Sequence, residues 1–409
     1  MIPNHRLKNS GAREQEGMSR VGWASLPAVF RILRNILGRR EGFVRKWTSA
    51  GCHAGCVARQ AGRPPYPMHA IRFAALIMLF AGVVFVRADE LQKFAFEKAE
   101  MGVPFRITLY ALNEETAKRA AEAGFARVET LNRIFSDYED DTELTLLSHT
   151  SGSGRAVKVS DELWAVLSRA QLLAARTDGA FDVTCGPLTS MWRRARRKHE
   201  MPAPDLVAEM TSRVGWKKMR LDEKAHTVEL TAPDMRLDVG SIGKGYACDE
   251  ALKVVRANGC PRAMVAGSGD ISASDPPPGR KGWRIEIVGL DLDDAAASPA
   301  PVVVEIANAA VATSGDRNQR LDANGKRYSH ILDPRTGQPL TDHGLVSVIA
   351  CDGLTAGIST ASSVIGPHEA LRLAAEWKAA IRIQRAPEGK VEITESPDWA
   401  RWVVEREKK

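Results

Sequence analysis

Between Tyr328 and Leu340 the chain reads Tyr-Ser-His-Ile-Leu-Asp-Pro-Arg-Thr-Gly-Gln-Pro-Leu. Ser329, His330 and Asp333 donate, accept and titrate there, while Pro334, Gly337 and Pro339 fix the backbone around them. An imidazole whose ordinary titration lies near neutrality suits proton transfer, which makes His330 a candidate general base. A structural reading stands beside this one. In it Asp333 caps a turn and His330 is a satisfied core side chain, held by Asp333 to fix the loop.

Other unusual segments accompany it: Gly179 to Leu188, Leu237 to Ala247, and Thr355 to Ala361. In the second, Gly240-Ser241-Ile242-Gly243-Lys244-Gly245 falls between a strand ending at Val239 and a helix expected from near Tyr246. Glycine lets backbone amides approach phosphate oxygens, and a helix start favours anions. The spacing is neither a Walker loop nor a dinucleotide fingerprint, so a tight turn with a surface lysine is the plain alternative. In the first segment, Phe181 reads as core and Asp182 as a turn residue. Gly267-Ser268-Gly269-Asp270-Ile271 reads as a strand end shaping a pocket, or as a bulge.

These segments need a scaffold, and the hydrophobic pattern supplies one. Phe105 to Tyr110 alternates like a half-buried strand. Ala117, Ala121, Phe125, Val128, Leu131 and Ile134 fall near one face of a helix from Asn113 to Ile134. A second helix is predicted from Asp161 to Ala175 behind Ser160, and a third from Gly245 to Ala257. Lys218 to Thr231 reads as a hairpin; Trp283 to Gly289, Pro301 to Ala312 and Leu345 to Ala350 read as strands. Ser359 to Trp377 reads as the last helical region, Asp275 to Gly279 as a rigid loop, and Asp291 to Pro301 as an exposed insertion. Strands and helices mix without a strict repeat, so the fold class is α+β rather than a doubly wound sheet.

The 409 residues, 44% of them hydrophobic, suffice for a sizeable core. A net charge of +7 with 6% aromatics, and no basic stripe interleaved with aromatics, points away from nucleic acid. Residues 1–67 show no sustained period and look like an upstream extension of the gene model. From Met68 a basic tip leads into the apolar run Phe73 to Val86 and then Arg87-Ala88, the pattern of a secretory signal peptide. The chain is therefore expected to be exported to the periplasm or beyond the cytoplasm, as a domain of residues 89–409. Of the six cysteines, Cys52 and Cys56 fall in the upstream segment, and with His53 alone they are too few for structural zinc. Cys185, Cys248, Cys260 and Cys351 are scattered, as free thiols would be.

Taken together with Met101-Gly102 and Ser314-Gly315, and in this order, the segments resemble those of the ApbE-type FAD:protein FMN transferases. The resemblance runs from about Phe94 to about Trp377. It implies mixed, largely antiparallel sheets with flanking helices, and an enzyme that uses magnesium to move FMN from FAD to a threonine or serine hydroxyl of an acceptor protein, releasing AMP. It implies that Asp238 holds the flavin nucleotide and Lys244 contacts it. Met101, Ala180-Phe181-Asp182 and Ile331 match further FAD contacts, and Ser241 and Thr360 match positions at the metal. One departure is clear. The family's aspartate four residues before the threonine is replaced by Ala356, whose side chain offers no oxygen to a hard cation. Asp352 is the nearby carboxylate available to substitute. The departure favours one rival, an FAD-binding protein without transfer; a metal-dependent FAD pyrophosphatase, with water in place of the acceptor hydroxyl, is the second alternative. No cysteine stands at the cleavage point, so no lipid or other stable membrane anchor is expected.

Overall fold

The computed structural model describes residues 90–292, 298–317 and 319–406. The upstream extension and the signal peptide lie outside the described residues, as does the middle of the Asp291–Pro301 insertion.

The chain enters on a hairpin, β1 (Gln92–Glu100) and β2 (Val103–Ala111), joined by Met101 and Gly102 alone. Both turn residues have positive φ, 49° and 74°. Such two-residue turns match the right-handed twist of the strands they join. Six more strands extend the sheet: β3 (Ala263–Gly267), β4 (Asp270–Ala273), β5 (Ala309–Gly315), β6 (Gly344–Ala350), β7 (Ala380–Arg385) and β8 (Glu392–Glu395). They lie in sequence order in one eight-stranded sheet, and every pairing is antiparallel. The expectation of an α+β fold with largely antiparallel sheets is met.

Period-two alternation divides the strand residues between two cores. Ala310, Ala312, Val346, Val348, Ile381 and Ile383 face a large core shared with the helices. Val311, Ile349 and Ala380 face a second core with Trp399 and a small antiparallel sheet of Trp283–Ile287, Val302–Ile306 and Val403–Arg406.

The helical layer is built as the sequence suggests. α1 (Glu114–Phe135) is capped by Asn113, whose side chain accepts from the Thr116 amide at 2.9 Å. After α2 (Glu143–Ser148) comes α3 (Asp161–Arg176), capped by Ser160. α4 (Gly186–Lys198) and α5 (Pro204–Ser212) each carry a proline in the first turn, where its missing N–H costs nothing. α6 (Gly243–Ala257) packs beside α1 in the large core. The Lys218–Thr231 hairpin is present as Met219–Asp222 and Thr227–Leu230.

Three expectations needed correction. Pro301 to Ala312 is two strands in different sheets, because Asn308 turns the chain with φ 49°. The region Ser359 to Trp377 is likewise divided, with Gly366 at φ 81° and then Pro367 separating α8 (Ile358–Ile365) from α9 (Pro367–Glu376). A short helix, α7 (Gly353–Ala356), precedes them. Gly267 to Ile271 is not a bulge but a two-residue hairpin turn, in which Ser268 takes φ 61°. Among the described residues no helix is long and apolar enough to cross a membrane. All four cysteines there are free, with Cys351 exposed rather than buried.

Candidate active site

Met101, Ala180, Phe181, Asp182, Asp238, Ser241, Lys244, His330, Ile331 and Thr360 all line one cavity of about 1130 Å3. It exceeds the ~300–1,000 Å3 of a drug-sized ligand site and has room for a dinucleotide. The entry hairpin presents Met101 at its edge. Phe181 is buried in the large core, and Asp182 forms the turn expected of it. Its Oδ1 accepts from the Thr184 amide at 2.8 Å and the Thr184 hydroxyl at 2.7 Å. Burial raises the Asp182 pKa in spite of these bonds.

Asp238 is almost fully buried and braces the glycine loop. Its Oδ1 accepts from the Gly240 amide at 2.8 Å, and its Oδ2 from Arg193 Nη2 at 2.6 Å. Arg193 also bridges to Asp137. Burial, and then the neighbouring Asp238, push the Asp137 pKa up. Lys244 Nζ donates to the Gly240 carbonyl at 2.6 Å and stands 3.7 Å from Asp270. The helix beyond the loop starts at Gly243, earlier than expected, and no side chain caps it. The Gly243 amide donates to the Val239 carbonyl at 2.7 Å and the Tyr246 amide to the Ile242 carbonyl at 3.3 Å, which leaves the amides of Lys244 and Gly245 for an anion. Gly245 serves packing instead. A Cβ there would sit 2.6 Å from the Gly353 carbonyl oxygen, so α6 and α7 meet backbone to backbone.

His330 does not pair with Asp333. Its Nδ1 lies 3.2 Å from the Gln319 carbonyl oxygen. A carbonyl only accepts, so Nδ1 carries the proton and Nε2 keeps the lone pair. Asp333 is bound instead to its own loop, through Arg335 Nε at 2.9 Å and Nη2 at 2.8 Å. Burial, reinforced by the positive charge of Arg196, lowers the His330 pKa to about 4. The ring is neutral at pH 7.

Arg193 and Arg196 are the functional residues that the sequence reading missed. With Thr189 they form one face of α4, four and three residues apart. The signal was present in Trp192-Arg193-Arg194-Ala195-Arg196, where buried Trp192 and Ala195 alternate with basic residues. Arg196 is half-buried, faces the cavity and makes no ion pair among the described residues.

The metal positions are less well provided. Thr360 Oγ1 lies 3.0 Å from Ser314 Oγ, which lies 2.9 Å from Ser359 Oγ, and all three are neutral oxygens. Ala356 is fully buried in the large core. Asp352 does not reach the cavity; it caps α7, its Oδ1 accepting from the Thr355 amide at 2.7 Å. Among the described residues no group of three histidine, cysteine or acidic side chains gathers as a metal site. These residues do not fit a magnesium site held by protein carboxylates.

The model of the ApbE family matches residues 101–384. The chain belongs to the ApbE family. A Haemophilus influenzae protein named FAD:protein FMN transferase is 31% identical over 273 residues, 65% of this chain and 78% of that protein. One of the same name from Klebsiella pneumoniae is 28% identical over 289 residues, 69% of this chain and 81% of its own. In three dimensions the chain is similar to the Pseudomonas stutzeri flavinyl transferase ApbE in its apo form, with TM-score 0.66 and 25% identity over 76% of this chain and 97% of that one. The Vibrio cholerae flavin transferase ApbE superposes with TM-score 0.67 at 24% identity, covering 76% and 99%.

Proposed function

We propose that this protein is an FAD:protein FMN transferase that moves FMN from FAD onto a threonine or serine hydroxyl of an acceptor protein and releases AMP. One observation carries the reading: a dinucleotide-sized cavity brings all ten expected residues together with Arg196, a guanidinium without an ion pair among the described residues. Met101, Phe181 and Ile331 offer apolar surface to the flavin ring. Lys244, Arg196 and the uncapped start of α6 face the phosphates.

The Nε2 lone pair of His330 accepts the proton of the acceptor hydroxyl, and the freed oxygen attacks the phosphorus of the FMN half. The bond from that phosphorus to the bridging oxygen breaks, and AMP leaves with the oxygen and its charge. Arg196 and Lys244 lie where that charge develops. Magnesium, if bound, would offset pyrophosphate charge. Ser241 and Thr360 provide it neutral oxygens only, so the remaining ligands would be water and the phosphates of FAD. The Met68 to Ala88 segment supports export, with the acceptor met outside the cytoplasm.

The test incubates the protein with FAD, magnesium and a candidate acceptor and weighs the acceptor. A mass gain of one FMN is expected. Free FMN would instead mean hydrolysis, and intact bound FAD would mean a flavin-binding protein without transfer.

A further inference from the structure

His343 takes no part in the chemistry above, yet three segments of the large cavity meet on its ring. Its Nδ1 lies 2.6 Å from Asp316 Oδ1. Its Nε2 lies 2.7 Å from the Asp291 carbonyl oxygen and 3.3 Å from the carboxylate of that residue. A carbonyl and a carboxylate only accept, so both ring nitrogens carry protons and His343 is an imidazolium. Arg327 Nη1 stands 2.8 Å from the same Nδ1, donor facing donor, and lies 3.9 Å from the other Asp316 oxygen. Burial and the Arg327 charge oppose the second proton. The bond to Asp316, its charge and the Asp291 carbonyl prevail and raise the pKa. Of the remaining charges nearby, Arg317 stands 3.9 Å from the Asp291 carboxylate, and Asp342 is paired with Arg385.

Each segment leads to the cavity. Asp316, 2% exposed, follows β5 where Gly315 pairs with Leu345 of β6, and His343 leads into β6. Asp291 lies four residues past the wall strand Trp283–Ile287. From Asp316 the chain passes Arg317 and Gln319 of the cavity, forms a hairpin of Arg320–Ala323 with Lys326–Ser329, and returns as His330. The Gln319 carbonyl accepts from the His330 amide at 3.0 Å and from its Nδ1 at 3.2 Å, so base and hairpin move as one. Asp316 is where the first leg of that unit meets the sheet.

We propose that His343, as an imidazolium, is a positioning residue for His330: it pins Asp316 to the cavity wall and so holds the hairpin and the base where transfer takes place. This rests on the transferase reading and adds what places its base. A neutral His343 keeps one proton and can donate to one of its two partners, so either Asp316 or the wall is released. Transfer then has an alkaline limb that His330, already neutral in that range, does not supply.

The experiment follows AMP release from FAD by the protein with magnesium and, as probe acceptor, a mixture of capped decapeptides with one central threonine, across neutral and alkaline pH. Wild type should lose rate as the pH rises through the raised His343 value. Asp316→Asn keeps an acceptor for the ring but removes the charge, so it should move that limb toward 6.5 or below. His343→Gln should show no such limb and lower kcat about ten- to a hundredfold, with FAD affinity changed by less than about threefold. Apart from turnover, amide exchange over residues 317–329 at pH 7 should quicken roughly tenfold or more in both variants, while α1 and α6 keep their protection. A limb that Asp316→Asn leaves in place, or exchange unchanged in both variants, would overturn the proposal and spare the transferase reading. Exchange that quickens equally in α1 and α6 would make His343 an ordinary stability contact and also defeat it. No AMP from wild type with bound FAD would overturn the transferase reading and the positioning role with it.

Discussion

If His330 is the base, its unusual environment sets the pH dependence of transfer. An ordinary imidazole titrates near pH 6.5 and is about 3% neutral at pH 5. With the pKa lowered to about 4, about nine-tenths of His330 is still neutral there. The two cases differ about thirtyfold in active base at that pH. The kcat/KM profile, which reports the free enzyme, should stay flat from pH 7 to about 5 and fall near 4. Burial and Arg196 together depress the value, so bound FAD, whose pyrophosphate offsets the Arg196 charge, should raise the limb seen in kcat. Arg196→Gln should raise the kcat/KM limb and also weaken FAD binding by roughly ten- to a hundredfold, as for a hydrogen bond to a charged group. Stopped-time transfer assays across pH 3.5 to 8, with FAD binding followed by flavin fluorescence, supply both profiles. A kcat/KM limb near 6.5 that Arg196→Gln does not move would refute the argument, and normal transfer by His330→Ala would remove His330 from catalysis.

Ala356→Asp should not create a metal site but place a carboxylate in the apolar core, lowering stability by roughly 2–7 kcal/mol in urea melts. Gly245→Ala, with its Cβ driven toward the Gly353 carbonyl, should cost roughly 1–3 kcal/mol in the same assay. Burial would lower the His343 pKa, but its bond to Asp316 and the charge of that carboxylate raise it above 6.5. The stability from this pair is present below pH 6.5 and is lost as pH rises through the raised value. His343→Gln should therefore flatten the stability profile over that window, measured by urea midpoints at successive pH values.

The long amphipathic helices were legible because their apolar faces and caps are local: Asn113 and Ser160 cap as their types suggest. The ten site residues could be named because the short stretches that carry them resemble those of the ApbE family; their types alone gave only His330 as a candidate base. What bonds to what was not legible. The structural alternative held His330 to Asp333, yet Arg335, two residues along, is nearer to that carboxylate by chain geometry. The role of Arg196 depends on α4 lying against the loop that carries His330, a contact between positions more than a hundred residues apart. Ala356 and Asp352 show the same limit. Spacing put them near Thr360, but the break at Gly357 sends one into the core and the other to a helix cap.

The small second sheet has a consequence for how the cavity comes into being. Ile285, Glu286 and Ile287 form part of the cavity wall, and their strand is held by Val302–Ile306. That strand pairs on its other side with Val403–Arg406, the last strand described. The wall is therefore completed by a segment that leaves the ribosome about a hundred residues after the strand it supports. A growing chain has the histidine loop and the glycine turn but an unsupported roof. Competence to hold a dinucleotide thus arrives late in the life of the nascent chain.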